Sequence, residues 1–330
     1  MLPFLSKPKN DSILSIANGN YLSSFSKIHV FQFNIVLRYN KDMRNLPKII
    51  LEEDINLNRE VDLFFSFLHH PYYVQNKISI LRAFPELEKL VQENEKHNIK
   101  LFISNFYKNN KEKIQKIIKK NKNLLNKKSE PSLKALLEIM DYHYNQPITY
   151  QAVPTILPFS PFGDKTFYFS ILGEIKNKTD KNILTIGIHE ISHFIFLEQL
   201  KNIENKKGIV LSEDLKAYIK EALTTVILNQ EPLCTILKLK DYKGNPEIQN
   251  LKIQEENKSI KKITEFLNNY YINIKLKNKK SFIDFLEKII GILMPLTPEF
   301  SKKRSIWNKY GQQTLKDPKI INIYSKPIKI

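Results

Sequence analysis

The chain has 330 residues, 42% of them hydrophobic, enough to bury one large core or two ordinary ones. Its single cysteine, Cys234, excludes an internal disulfide framework and any cysteine-rich zinc centre, so a bound metal would be held by histidine and carboxylate. The net charge of +18 invites a nucleic-acid reading, but only five of the 52 basic residues are arginine, the side chain best shaped for bidentate phosphate and guanine contacts.

The lysines are spread along the chain among Asn and Ile and read as a solvated surface, so a nucleic-acid partner is not expected. The opening stretch, MLPFLSKPKNDSILSIANGN, lacks a basic segment followed by a long apolar run, and a signal peptide is not expected. No apolar run reaches ~18–20 residues free of charges, so no transmembrane helix is expected and the expected compartment is the cytoplasm.

In chain order, residues 1–25 are polar and read as an arm or loop. Lys27–Asn40 is rich in β-branched and aromatic residues and reads as a strand. Asn56-Leu57-Asn58 offers a helix start, and Arg59–Leu68 has helical spacing, ending at His69-His70-Pro71. Adjacent histidines do not share a helix face, and a helix C-terminus suits cations, so no metal role is expected for this pair. Pro85–Glu95 and Ile99–Lys128 read as two helices, the second basic and amphipathic with Ile114, Ile117, Ile118, Leu124 and Leu125 turned inward. Ser129–Tyr144 reads as another, with Ser129 as cap and Pro131 in its first turn.

Pro147–Phe159 and Lys165–Gly173 then have strand composition, joined through Ser160–Asp164. Pro154 and Pro158 cannot donate to a ladder, so the first strand is expected to be irregular or at an edge. Glu174–Lys181 reads as polar loop. From there the chain reads almost wholly helical: Ile183–Leu200, Leu211–Asn229 capped by Ser212, Pro246–Tyr271 and Ser281–Leu293. Trp307, Tyr310 and Gly311 fall in a short final segment, and Lys316–Ile330 has no clear element. The domain division expected is a mixed, mostly helical lobe over 1–146 and a second part over 147–330.

The helix Ile183–Leu200 contains His189-Glu190-Ile191-Ser192-His193, an H-E-x-x-H pattern. Positions four apart share a helix face, so His189 and His193 can hold one ion between them. Glu190 follows the first histidine, where a carboxylate can act as general base on a water at that ion. Apolar residues flank the motif on both sides, and buried ionisable groups need partners; a metal supplies one. A third protein ligand is required. Glu221 is the favoured candidate, because it lies mid-helix among apolar residues, where an unpaired carboxylate is costly. Glu213 and Asp214 are rivals with an alternative use at a helix start, and Glu198 is a rival expected at the surface.

These features resemble the gluzincins, zinc metallopeptidases with H-E-x-x-H on one helix and a glutamate ligand on a following helix. The resemblance spans about residues 147–229. It implies an α+β, zincin-like fold: a small mixed sheet packed on the motif helix, with a mostly helical C-terminal part. It implies His189, His193 and Glu221 as zinc ligands and Glu190 as catalytic base, acting on a peptide or protein substrate. An edge strand before the motif helix would pair with extended substrate, and Lys165–Gly173 or Pro147–Phe159 would take that place. The chain departs from the thermolysin branch, which has Asn before the glutamate ligand and Asp four residues after it. Here Lys220 and Thr225 stand there, so a carboxylate partner for a ligand histidine is missing or comes from elsewhere. Tyr218, Tyr310, Arg304 and His143 are candidates to stabilise an oxyanion. A zincin-fold scaffold without turnover and a basic nucleic-acid-associated protein are the competing expectations.

Overall fold

The computed structural model describes residues 45–70, 74–90, 95–178 and 182–330. Asn45–Ile330 forms one compact unit of mixed α and β structure, mostly helical, with two small sheets. The expected arm over 1–25 and the strand Lys27–Asn40 lie outside the described residues.

The first sheet runs in the order β1 (Lys48–Leu51), β2 (Thr149–Thr155), β4 (Thr166–Ser170), β3 (Phe162–Gly163). β2 is parallel to β1 and to β4, and β3 returns antiparallel to β4. The sheet therefore draws strands from both sides of residue 146. β2 is neither irregular nor at an edge, contrary to the expectation from its prolines. The ladder geometry gives the reason. Gln151 N–H bonds toward β4, and the Ala152 carbonyl accepts from Glu52 on the β1 side. Backbone groups alternate sides along a strand, so Pro154 turns its nitrogen to the β1 side. There β1 has already ended at Leu51, and no ladder bond is lost.

Helix α1 (Leu57–His69) starts at Asn56, whose side chain accepts from Arg59 N–H. Glu60 on α1 is buried and receives Thr155 Oγ1–H at 2.8 Å and Ile156 N–H at 2.9 Å, tying the helix to the end of β2. Helix α2 (Val74–Ala83) has no counterpart in the sequence reading. The helix expected over Pro85–Glu95 is a 3-10 turn, Pro85–Lys89, whose N–H groups close back over three residues. Ile99–Lys128 and Ser129–Tyr144 are divided differently from expectation. α3 (Glu95–Asn109) stops at Asn110, and α4 runs unbroken from Lys111 to Ile139. Pro131 lies inside α4 instead of opening a helix. The buried stripe Ile118, Leu125, Leu133 and Leu136 continues across it, and that burial outweighs one missing backbone bond.

After β4 comes one helical turn, α5 (Leu172–Ile175), which takes the last two residues of the expected strand Lys165–Gly173 and the first two of the expected loop. α6 (Ile183–Lys207) carries the motif; Asn182 caps it by accepting from Thr185 N–H at 2.9 Å. It packs against β4 on one side and against α4 and α7 (Glu213–Leu228) on others. Gly187 sets the approach to the sheet: a Cβ there would lie 2.8 Å from the Phe167 ring of β4. The short helix α8 (Leu233–Leu237) follows.

The expected helix Pro246–Tyr271 is broken. α9 (Pro246–Asn250) leads into a hairpin of β5 (Lys252–Gln254) and β6 (Ile260–Lys262), and helix resumes as α10 (Ile263–Tyr271). Lys258, at φ 65°, turns the hairpin. The tail, read as featureless, supplies the third strand: α13 (Pro318–Tyr324) delivers β7 (Ile328–Lys329) parallel to β5. Between them lie α11 (Phe282–Leu293) and α12 (Thr297–Tyr310), the latter including Trp307 and Tyr310. Buried Lys303 of α12 donates to the carbonyls of Ile323, Tyr324 and Lys326, pinning the tail. Among the described residues no helix is long and apolar enough to cross a membrane.

Candidate metal centre

α6 and α7 face each other, and their packing brings four side chains to one point. His189 and His193 lie one turn apart on α6 with ring centroids 4.4 Å apart. Glu221 reaches across from α7. Its Oε1 is 3.3 Å from His193 Nε2, and its Oε2 is 3.6 Å from His189 Nε2. Ligand bonds of about 2.0–2.1 Å at a tetrahedral zinc put ligand atoms about 3.3–3.4 Å apart, so these separations fit one shared ion. Glu190 lies just beyond, its carboxylate 3.9 Å from His189 Nε2 and 4.0 Å from His193 Nε2. His189, Glu190 and His193 also form a group compact enough to hold a metal.

The electrostatics suit a cation. His193 is 1% exposed, and burial pushes its pKa down. Its Nε2 is fully buried and faces Glu221 Oε1 at 3.3 Å. A ring nitrogen and a carboxylate oxygen facing each other could ligate one ion. Burial alone would raise Glu221; the attraction of His193, His189 and Lys220 outweighs it and holds the carboxyl well below its usual range. The Glu221 side chain keeps 23% exposure, so the cluster opens on that side.

The rivals for the third ligand are elsewhere. Glu213 is 91% exposed in its side chain and pairs with Lys216. Asp214 lines a surface cleft with Ser301, Arg304 and Asn308, and Glu198 is exposed. His69 pairs with Glu95 at 2.8 Å and takes no part.

Of the oxyanion candidates, Tyr218 donates to buried Glu247 at 2.6 Å and Arg304 pairs with the same carboxylate, so both serve an internal network. His143 is exposed, and Tyr310 lies under Lys309. What does line the centre was not legible beforehand. Tyr242 places its hydroxyl 2.9 Å from His189 Nδ1, and Thr224 Oγ1 lies 3.1 Å from His193 Nδ1. Hydroxyls thus stand where a carboxylate partner was sought. Thr224 could have been found from its position three residues after Glu221 on the same helix. Tyr242 carried no such signal, because a loop brings it in.

The edge beside the site also differs from expectation. β2 is internal and β4 is covered by β3, so Phe162–Gly163 forms the outer strand. The Phe162 ring packs 5.5 Å from His193, and Lys220 Nζ lies 4.5 Å over it. Comparison with protein-family models, curated proteins and solved structures gives no match.

Proposed function

We propose that the chain is a zinc-dependent peptidase with a zincin-like arrangement of sheet and paired helices. The observation that carries this reading is the convergence of Glu221, from a second helix, on the Nε2 atoms of His189 and His193, at separations that suit one ion. His189, His193 and Glu221 would hold the zinc. When bound, it supplies a water acidified toward neutral pH and polarises a substrate carbonyl. Glu190, beside both histidines but not needed as a ligand, takes the proton from the attacking water and returns it to the leaving amine. An extended substrate adds alongside the Phe162–Gly163 edge by backbone pairing, with Lys220 next to that edge.

The test uses purified full-length protein, wild type beside Glu190→Gln, with metal analysis and hydrolysis of a mixed peptide library. One zinc per chain is expected in both, with hydrolysis in the variant reduced ~10²–10⁴-fold. Loss of zinc in Glu190→Gln would make Glu190 a ligand, and equal hydrolysis in both would remove it from the reaction.

A further inference from the structure

We infer that Thr224 and Ser192 form a directional hydroxyl relay that fixes which nitrogen of His193 is free to bind metal, in place of a carboxylate partner. The deduction uses only proton counting. Ser192 Oγ donates to the His189 carbonyl at 2.7 Å, as serines in helices commonly do toward the preceding turn. A hydroxyl has one proton, so Ser192 has none left for its second contact, Thr224 Oγ1 at 2.7 Å. Thr224 must be the donor there. Its own single proton is then spent, and toward His193 Nδ1, 3.1 Å away, it can only accept. The hydrogen between them belongs to the ring: Nδ1 carries N–H, so in the neutral ring Nε2 is the nitrogen that presents a lone pair, on the side facing Glu221. The relay runs His193 Nδ1–H to Thr224, Thr224 to Ser192, Ser192 to the His189 carbonyl. It ends on the backbone of the other ligand, so one hydrogen-bond path joins both turns of the motif.

All three groups are buried, His193 at 1%, Ser192 at 1% and Thr224 at 1% exposure, so water does not compete for these bonds. Burial also makes reversal costly, because flipping the tautomer would leave one contact of the relay without a proton, with no water to replace it. Ser192, just before His193 in the motif, and Thr224, three after Glu221, are therefore positioning residues acting through His193. A neutral hydroxyl adds no negative charge to the centre, unlike a carboxylate.

This inference rests on the metal reading for its purpose but not for its geometry, and the test separates the two. Metal-free protein labelled with nitrogen-15 at histidine reports the His193 tautomer directly by NMR. Wild type is expected to carry Nδ1–H. Thr224→Val, nearly isosteric, is expected to lose that preference and to bind zinc ~10–100-fold more weakly in chelator competition. Thr224→Ser, which keeps the hydroxyl, is expected to restore both. A wild-type protein with Nε2–H overturns the relay, as does a folded Thr224→Val with unchanged tautomer and zinc affinity. A wild type with Nδ1–H that takes up no zinc supports the relay and overturns the metal reading.

Discussion

The Glu221 carboxylate sits between two opposing demands. Burial favours its neutral form, while two imidazoles and Lys220 at 3.4 Å favour its anion, and the anion wins. A carboxylate held ionised against buried ring nitrogens is a ready oxygen ligand. On the proposed zinc site, removing it by Glu221→Ala would leave two nitrogen ligands. Zinc affinity should fall by more than ~100-fold, beyond what an outer hydrogen-bond partner contributes. Asp214→Ala, at the rival position on the same helix, should bind zinc as wild type does. Titration against a chelator of known affinity measures both, and the opposite ranking would transfer the ligand role to Asp214.

At the scale of elements, the centre depends on how the loop after α8 docks on α7. Asn229, which ends α7, takes the Tyr242 N–H with its Oδ1 and donates Nδ2 to the Tyr242 carbonyl, each at 2.8 Å. Two residues on, Gly244 has φ 68°, and a Cβ there would lie 2.4 Å from Thr225 Oγ1. Thr225 in turn donates to the Glu221 carbonyl at 3.1 Å. The loop that presents Tyr242 to His189 is thus seated against the helix that presents Glu221. Gly244→Ala combines a steric clash with an unfavourable backbone region, costing about 1–3 kcal/mol. Its melting temperature should drop by a few degrees and its zinc affinity should weaken as Tyr242 withdraws. Unchanged melting and unchanged zinc binding would show that the loop neither strains nor positions anything. Helix docking is also what a linear pattern describes least well. The helix runs on through Pro131, where a new start was expected, because the apolar stripe facing a neighbour outweighs a local breaker residue.

At the scale of the whole molecule, Glu60 joins a helix from early in the chain to the end of β2, far along it. Burial pushes its carboxyl up to about 7, against the hydrogen bonds from Ile156 and Thr155. In the unfolded chain the same group titrates near its ordinary value of 4.5. Between these values the folded state binds the proton more tightly. The stability Glu60 contributes is therefore fully present below 4.5 and is lost as pH rises through about 7. The change amounts to about 3 kcal/mol at ~1.4 kcal/mol per pKa shift of one. Wild type should lose stability relative to Glu60→Gln over this range, measured as urea unfolding at several pH values. Parallel pH profiles for the two proteins would mean that Glu60 is ionised at no special cost.

The four side chains that meet between α6 and α7 could be picked out in the chain because their chemistry is local or tied to burial. The i, i+4 spacing puts His189 and His193 on one face whatever the rest of the fold does, and Glu221 betrays itself as a charge inside an apolar helix. The Ser212 cap was readable for the same reason: a cap bonds to its own next turn. Tertiary structure decided everything that depends on partners distant in sequence. Only the end of β1 makes Pro154 harmless inside a sheet. Only the C-terminal tail gives Lys252–Gln254 a neighbour on its second edge. Only loop docking brings the Tyr242 hydroxyl to His189. Each is a backbone or side-chain hydrogen bond across a long sequence separation, and its energy is absent from any window of neighbouring residues.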